Sequence, residues 1–207
     1  LPHRKAPPSA SGVVYVSGTI QSKADGTVAT SGDTPFSDNS AVTVPVAFDA
    51  GWTLISLPVQ VSLTAQELLD LVRSQGGTPL EIASWTGTEW VSHPDGVPFN
   101  NFQVQPGRGY FLKCASAGTV SFTGPLLISA TLNLREGWNL IGVPAGSYTA
   151  QSLLSIINSC TGSAQEVVRQ EGSGWTVFSD GSGGQGFSVV PGRGYFVRCL
   201  AGSSAGL

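Results

Sequence analysis

Short apolar runs separated by turns rich in glycine and proline dominate the hydrophobic pattern of the chain, and such runs are typical of β-strands. The pattern predicts strands over residues 42–48, 52–59, 80–85 and 110–114, with a further strand around Trp90. Valine, isoleucine and aromatic residues are frequent in these runs, and they favour extended backbone.

A helical period interrupts the strands between residues 64 and 75. Thr64 is a good N-cap, and Glu67, three residues later, completes a capping box. The apolar stripe that follows, Leu68, Leu71 and Val72, has the spacing of one helix face. The sequence therefore predicts a short amphipathic helix that packs against the neighbouring strands.

The same succession of elements occurs twice. Residues 51–58 (GWTLISLP) recur as residues 137–144 (GWNLIGVP), and residues 106–111 (PGRGYF) recur unchanged as residues 191–196. The separation is therefore 86 positions at the start of the copies and 85 near their ends. Internal similarity at a fixed separation indicates tandem copies of one structural module.

These elements predict an α+β fold dominated by β-structure, with two tandem small antiparallel-sheet modules that each contain one helix. The first module covers residues 42–124 and the second covers residues 125–207. They are preceded by a flexible N-terminal arm (1–12), a further candidate strand (13–20) and a polar linker (21–41). The strand at 13–20 is an extension to the repeated fold.

The two copies differ at their ends. Residues 117–124 predict a strand that closes the sheet of the first module, whereas residues 200–207 are mostly small and flexible. Ala205 takes the place of Val120. The sequence therefore predicts that the second module lacks a clear closing strand.

An unpaired sheet edge favours the addition of another strand, and the N-terminal candidate strand could supply it. It consists of Val13, Val14, Tyr15, Val16, Ser17, Gly18, Thr19 and Ile20. Three interpretations stay open: this strand closes the second module of its own chain, inserts into the second module of a neighbouring copy, or extends the sheet of the first module. We favour the second, a head-to-tail homopolymer formed by strand addition.

Composition narrows the class of protein. Only 11% of the 207 residues are charged, the formal net charge is −3, and no methionine occurs. Nucleic acid is an improbable partner because phosphate binding needs concentrated positive charge. No apolar run approaches the ~20 residues needed to span a membrane. The absent initiator methionine and the low charge favour a processed extracellular or cell-surface protein.

The motifs GW-x-LI-x-x-P and PG-x-GYF-x-x-C resemble a repeat of bacterial and archaeal secreted and cell-surface proteins, most of which are uncharacterised. The resemblance covers residues 51–124 and 137–199 and implies a structural or adhesive module. It also implies a disulfide between the cysteine near the end of the helix and the cysteine after GYF. In this chain that pairing is Cys160 with Cys199, which leaves Cys114 unpaired.

Catalytic chemistry is not indicated by any motif. No catalytic residue, metal site or cofactor site is predicted, and His93 is expected to be a surface residue in a loop. Zinc-type cysteine spacing and nucleotide-binding glycine loops with a following helix are both missing from the sequence. We therefore expect a non-enzymatic structural protein, a fibre or pilus-like subunit.

The alternative function is a monomeric adhesive or carbohydrate-binding module. Its candidate glycan contacts are Trp85, Trp90 and Trp175, because exposed aromatic rings can stack on sugars. Trp52 and Trp138 recur at fixed positions of the module, which favours a place in the core. Trp85 has no aromatic counterpart in the second copy, where Gln170 occupies the equivalent position.

Overall fold

The computed structural model describes residues 40–160 and 163–207. The N-terminal arm (1–12), the candidate assembly strand (13–20) and all but the last two residues of the polar linker (21–41) lie outside the described residues. Those predictions therefore stay predictions.

The first module contains eight strands and one helix. They are β1 (Ala41–Phe48), β2 (Gly51–Ser56), β3 (Leu63–Thr64), α1 (Ala65–Ser74), β4 (Pro79–Trp85), β5 (Trp90–Pro94), β6 (Gln103–Val104), β7 (Gly109–Cys114) and β8 (Gly118–Pro125). An antiparallel four-stranded sheet has the order β2-β7-β4-β5. Strand β1 pairs with β8, and β3 pairs with β6, as two antiparallel ribbons.

The second module repeats this arrangement element by element. Its elements are β9 (Thr131–Leu134), β10 (Gly137–Gly142), β11 (Tyr148–Thr149), α2 (Ala150–Ser159), β12 (Ala164–Glu171), β13 (Gly174–Ser179), β14 (Ser188–Val189), β15 (Gly194–Cys199) and β16 (Ser203–Gly206). The four-stranded sheet has the order β10-β15-β12-β13, and the ribbons are β9 with β16 and β11 with β14. The described residues therefore confirm the β-dominated α+β fold and its two repeated units.

Both helices begin with a capping box. In α1 the backbone N–H of Glu67 donates to Thr64 Oγ1 (3.2 Å), and the backbone N–H of Thr64 donates to Glu67 Oε2 (2.7 Å). In α2 the corresponding partners are Thr149 and Ser152, so a serine hydroxyl replaces the glutamate carboxylate. These side chains satisfy backbone N–H groups that have no partner within the helix.

Each module has its own hydrophobic core between the helix and the inner face of its sheet. Leu68 and Leu112 are fully buried in the first module, and Leu153 and Val197 are fully buried at the equivalent positions of the second. Because each core uses the inner faces, the outer faces of the two sheets remain available for other contacts.

The predicted gap in the second module is wrong. Strand β16 pairs with β9 in the same register in which β8 pairs with β1: Ala205 lies opposite Leu132, as Val120 lies opposite Val46. Ala205 is fully buried, and the pairing continues through two backbone hydrogen bonds between Leu207 and Ala130 (2.9 and 3.1 Å). Small residues complete this sheet because the ladder uses backbone groups, and burial decides strand formation more than intrinsic propensity does.

The disulfide predicted between Cys160 and Cys199 is not formed. All three cysteines, each within the described part of the chain, are free thiols. Cys160 is the C-cap of α2, and its sulfur lies 3.8 Å from the Ser159 hydroxyl. Cys199 is buried in β15, opposite Gly137. The two cysteines belong to the same core but are held by different elements.

His93 is also not the surface residue that the sequence predicted. It lies in β5 opposite Ile82, with its side chain in the core and no exposed surface. Its Nδ1 is 2.8 Å from the carbonyl oxygen of Phe99, and its Nε2 is 3.0 Å from Gln66 Oε1. The histidine is therefore a buried structural residue that connects β5 to α1 and to the following loop, and Phe178 fills the equivalent position in the second module.

Candidate functional site: an aromatic cleft between the modules

The two modules contact each other through equivalent residues, as the halves of a symmetric dimer would. The backbone N–H of Ser56 donates to the carbonyl of Gly192 (2.9 Å), and the N–H of its counterpart Gly142 donates to the carbonyl of Gly107 (3.1 Å). The bridges Ile55–Arg193 and Arg108–Ile141 are related in the same way. The interface therefore has an approximate twofold axis.

The repeated PGRGYF motif makes this close approach possible. A Cβ atom added to Gly109 would lie 2.9 Å from the carbonyl oxygen of Ile141, and one added to Gly194 would lie 3.0 Å from that of Ile55. Side chains do not tolerate such distances to a backbone oxygen. The last glycine of each motif is therefore required by contact between the modules, a role that the sequence of one module does not reveal.

One symmetric pair of contacts is made by different side chains. The indole Nε1 of Trp85 donates to the carbonyl of Trp138 (2.7 Å), whereas Gln170 Nε2 donates to the carbonyl of Trp52 (2.7 Å). Gln170 Oε1 also accepts from the backbone N–H of Leu54 (2.8 Å). Trp85 thus preserves the hydrogen bond between the modules and adds a large aromatic surface on one side only.

Aromatic rings from both outer sheet faces meet at the twofold axis. The rings of Phe111 and Phe196 lie 6.2 Å apart at the centre. Trp90 and Trp175 each contact both phenylalanines, at centroid distances between 5.4 and 6.2 Å. Trp85 contacts Trp90 at 5.0 Å.

Two further tryptophans lie at the outer positions of the aromatic cluster. Trp52 packs edge-on against Phe111 (6.0 Å), and Trp138 packs edge-on against Phe196 (6.1 Å). All five tryptophans of the protein therefore belong to one cluster at the module interface.

On one side of the axis these rings form an open apolar cleft of about 500 Å³, which we call the aromatic cleft. It is lined by Trp85, Trp90, Trp138, Glu166, Val168, Trp175, Val177 and Phe196. Trp90 is 47% exposed and Trp175 is 51% exposed. Exposed apolar surfaces of this kind mark binding sites more often than chance positions do.

The structure brings together the three tryptophans that the sequence indicated as glycan contacts, Trp85, Trp90 and Trp175. Trp138, which the sequence placed in the core, lies in the same cleft and is 37% exposed. Its equivalence to Trp52 was visible in the repeat, but its exposure depends on how the second sheet faces the first.

The edge of the cleft carries charge. Of the described residues that line it, Glu166 alone is charged, and its carboxylate is paired with Arg198 at 3.6 Å. The equivalent pair on the other side of the axis is Glu81 with Lys113, at 3.9 Å. A ligand on the rings would therefore meet a carboxylate that is already paired with a guanidinium.

Among residues 40–160 and 163–207 no cluster of three histidine, cysteine, aspartate or glutamate side chains has metal-binding geometry. Neither of the two helices that the structure describes has the length and apolarity required to cross a bilayer.

Comparison of the chain with protein-family models, with curated proteins and with solved structures found no match.

Proposed function

We propose that this protein is a non-enzymatic extracellular binding module that holds a saccharide in the aromatic cleft. The observation that carries the proposal is the convergence of all five tryptophans at one interface, with Trp90 and Trp175 about half exposed. A contiguous patch of exposed apolar rings, unlike a single exposed ring, marks a surface that contacts a ligand or partner.

The shape of the cleft favours a saccharide. A pyranose ring presents flat faces of C–H groups, which pack on indole rings, and it carries its hydroxyl groups around the edge. The cleft offers the matching arrangement, since rings form its walls and the carboxylate of Glu166 lies at its rim. Its volume is within the range of small-ligand sites.

The rings are also held in place before any ligand binds. Trp85 is fixed by its hydrogen bond to Trp138, and the remaining rings brace one another across the twofold axis. A preformed site avoids the entropy cost of ordering side chains on binding.

A non-enzymatic role agrees with the state of the one described histidine. Both ring nitrogens of His93 lie at hydrogen-bond distance from protein oxygens, and the side chain has no exposed surface. It is therefore not available as a general base.

The test is calorimetric titration of the full chain with tetrasaccharides of glucose, N-acetylglucosamine and galacturonate. At least one should bind, and Trp138→Ala should weaken its affinity about fivefold or more, since an aromatic contact of this size contributes about 1 kcal/mol or more. Trp52→Ala is the matched control, because Trp52 is the symmetry equivalent, is equally exposed (37%) and lies outside the cleft.

Absence of binding for all three saccharides at millimolar concentration would contradict the proposal. Equal losses in Trp138→Ala and Trp52→Ala would also contradict it, because a general loss of the interface would then explain both. Binding of an apolar tetrapeptide in place of the saccharides would assign the cleft to a peptide partner.

Head-to-tail assembly through residues 13–20 is a second candidate function. The closing position of the second module is occupied by β16, so a donor strand would have to add elsewhere. The observation that favours assembly is the free edge of β13: among the described strands it pairs only with β12, and it exposes Trp175 and Val177. Unpaired edges accept strands from other chains.

Electron microscopy of the full chain tests the assembly. Filaments that disappear when residues 1–20 are deleted would support it. A full-length protein that stays monomeric at high concentration would contradict it.

A further inference from the structure

A polar pocket lies beside the aromatic cleft, and Trp85 lines both. The pocket has a volume of about 190 Å³. Its polar side chains include those of Gln105, Arg108, Asn133 and Arg135. The space is smaller than most sites that hold a whole small ligand, and it suits one polar group of a ligand that occupies the cleft.

The charge in this pocket is positive. Arg108 and Arg135 are both exposed, and Arg135 Nη1 donates to the carbonyl of Thr86 (3.3 Å), which places its guanidinium at the pocket wall. Among the residues that the structure describes, no aspartate or glutamate lines the pocket. Within the described part of the chain, neither guanidinium is ion-paired with a carboxylate. Arginine presents several N–H donors in a fixed plane that matches carboxylate and sulfate oxygens.

The repeat provides an internal comparison, because each lining position has a counterpart across the twofold axis. Arg135 corresponds to Asp49, directly after the equivalent strand, and both backbones are capped in the same way by the residue four positions later. The other two polar positions become apolar, since Asn133 corresponds to Ala47 and Gln105 to Val190.

Arg169, the counterpart of the lining residue Ser84, is ion-paired with Glu171. Among the described residues, only the pocket side of the axis therefore combines two arginines free of ion pairs with an aromatic wall. Trp85 is replaced by Gln170 on the other side. The extra aromatic ring and the extra arginine, Arg135, therefore occur on the same side of the axis. Simple drift of a duplicated module gives no reason for the two changes to coincide.

We propose that this pocket, with Arg108 and Arg135 as its cations, binds an anionic group, a carboxylate or sulfate, carried by a saccharide in the aromatic cleft. The saccharide part of this proposal rests on the proposed function, whereas the anion site is inferred from the two arginines and their surroundings. The protein would thus select acidic saccharides over neutral ones, with the sugar ring in the cleft and its anionic substituent reaching past the edge of Trp85 into the pocket.

The anion site is tested first with inorganic sulfate, without any sugar. Sulfate titrated into the ¹⁵N-labelled full chain at low ionic strength should shift the Nε–H resonances of Arg108 and Arg135 saturably. The Arg135→Asp variant, which reproduces the residue at position 49, should lose the effect at Arg108. The Nε–H of Arg193, the equivalent of Arg108, should shift less, and its variant Arg193→Gln serves as the matched control.

The saccharide is tested with oligogalacturonate against its methyl ester, and with a sulfated glucose oligomer against the unsulfated one. Each acidic ligand should bind at least about ten times more tightly than its neutral partner, because hydrogen bonds between charged groups are stronger than those to a neutral group. Arg135→Asp should abolish this preference and Arg193→Gln should leave it intact. A larger preference for oligogalacturonate over its methyl ester would indicate a carboxylate site. A larger preference for the sulfated over the unsulfated oligomer would indicate a sulfate site.

The possible failures are distinguishable. Sulfate shifts of equal size at Arg108 and Arg193, or no saturable shift at all, would overturn the anion site. Saturable sulfate binding without binding of any saccharide would retain the anion site and overturn the proposed function. Equal affinity for acidic and neutral saccharides would retain the cleft and overturn the selection for acidic ligands.

Discussion

The indole N–H of Trp85 donates a 2.7 Å hydrogen bond to the carbonyl of Trp138, and the amide of Gln170 makes the same bond to the carbonyl of Trp52. The two donors occupy equivalent positions of a repeated module. A glutamine is therefore sufficient for the contact between modules, and the tryptophan ring is surplus to it. This surplus points to a ligand.

The first prediction concerns Trp85→Gln. The variant should keep the hydrogen bond to Trp138. Its free energy of unfolding should stay within about 1 kcal/mol of the wild type, because the ring of Trp85 is only partly buried. Binding of the saccharide should fall about tenfold or more, because the wall of the cleft is removed. Urea unfolding and calorimetric titration of the same sample check the two effects separately. A variant that unfolds more easily but binds normally would show that the ring is structural.

The second prediction concerns the glycines of the PGRGYF motif. Gly109→Ala should lower the free energy of unfolding by about 1–3 kcal/mol, because the new methyl group meets the Ile141 carbonyl oxygen at 2.9 Å. Urea unfolding measures the loss. Gly174→Ala is the control, since its Cβ would make only an ordinary contact of 3.6 Å with the Glu171 carbonyl. Equal stability of the two variants would show that the modules do not meet as described.

The third prediction concerns the closing strand of the second module. Ala205→Asp should destabilise the protein by about 3 kcal/mol or more, because it places a carboxylate at a position without solvent exposure. Ser204→Asp, at the neighbouring exposed position, should have little effect. Thermal and urea unfolding compare the pair. Tolerance of aspartate at both positions would restore the idea of an open edge in the second module.

The fourth prediction concerns the cysteines. Burial raises the pKa of the Cys114 thiol to about 11 and also raises the pKa of the Cys199 thiol. At pH 8 both are therefore largely protonated and unreactive, and their thiolate fraction grows only as the pH rises. Iodoacetamide without reductant should modify the partly exposed Cys160 in the native protein and all three cysteines in urea. Mass spectrometry that finds Cys160 and Cys199 unmodified in urea until reductant is added would show that they form a disulfide.

Features that depend on local pattern could be predicted from the sequence. The capping box at Thr64 and Glu67 needs only residues three positions apart, and the repeated apolar runs gave most strands of the first module. The repeat itself carried these assignments to the second module. Such features are set by short-range geometry, which neighbouring residues report directly.

Features that depend on contact between the modules could not be predicted. In the sequence of one module, the pattern around Gly109 indicates only a turn glycine. A side chain is excluded at this position because the Ile141 carbonyl of the other module lies too close, which only the packing of the two sheets shows. Ala205 has low strand propensity, yet its strand forms because its backbone pairs with β9 opposite Leu132 and its side chain is buried there. Likewise, His93 lies in a sequence typical of a loop but is buried, because its ring nitrogens form hydrogen bonds with the Phe99 carbonyl and Gln66 Oε1.

The most direct measurement on the central claim is a titration followed through the tryptophan indole N–H resonances of the ¹⁵N-labelled protein, since all five tryptophans belong to the one cluster. With a bound tetrasaccharide, the resonances of Trp85, Trp90, Trp138 and Trp175 should shift together along one binding curve, while Trp52, outside the aromatic cleft, should shift least. Indole resonances that stay unchanged while calorimetry reports saccharide binding would place the ligand elsewhere and contradict the account.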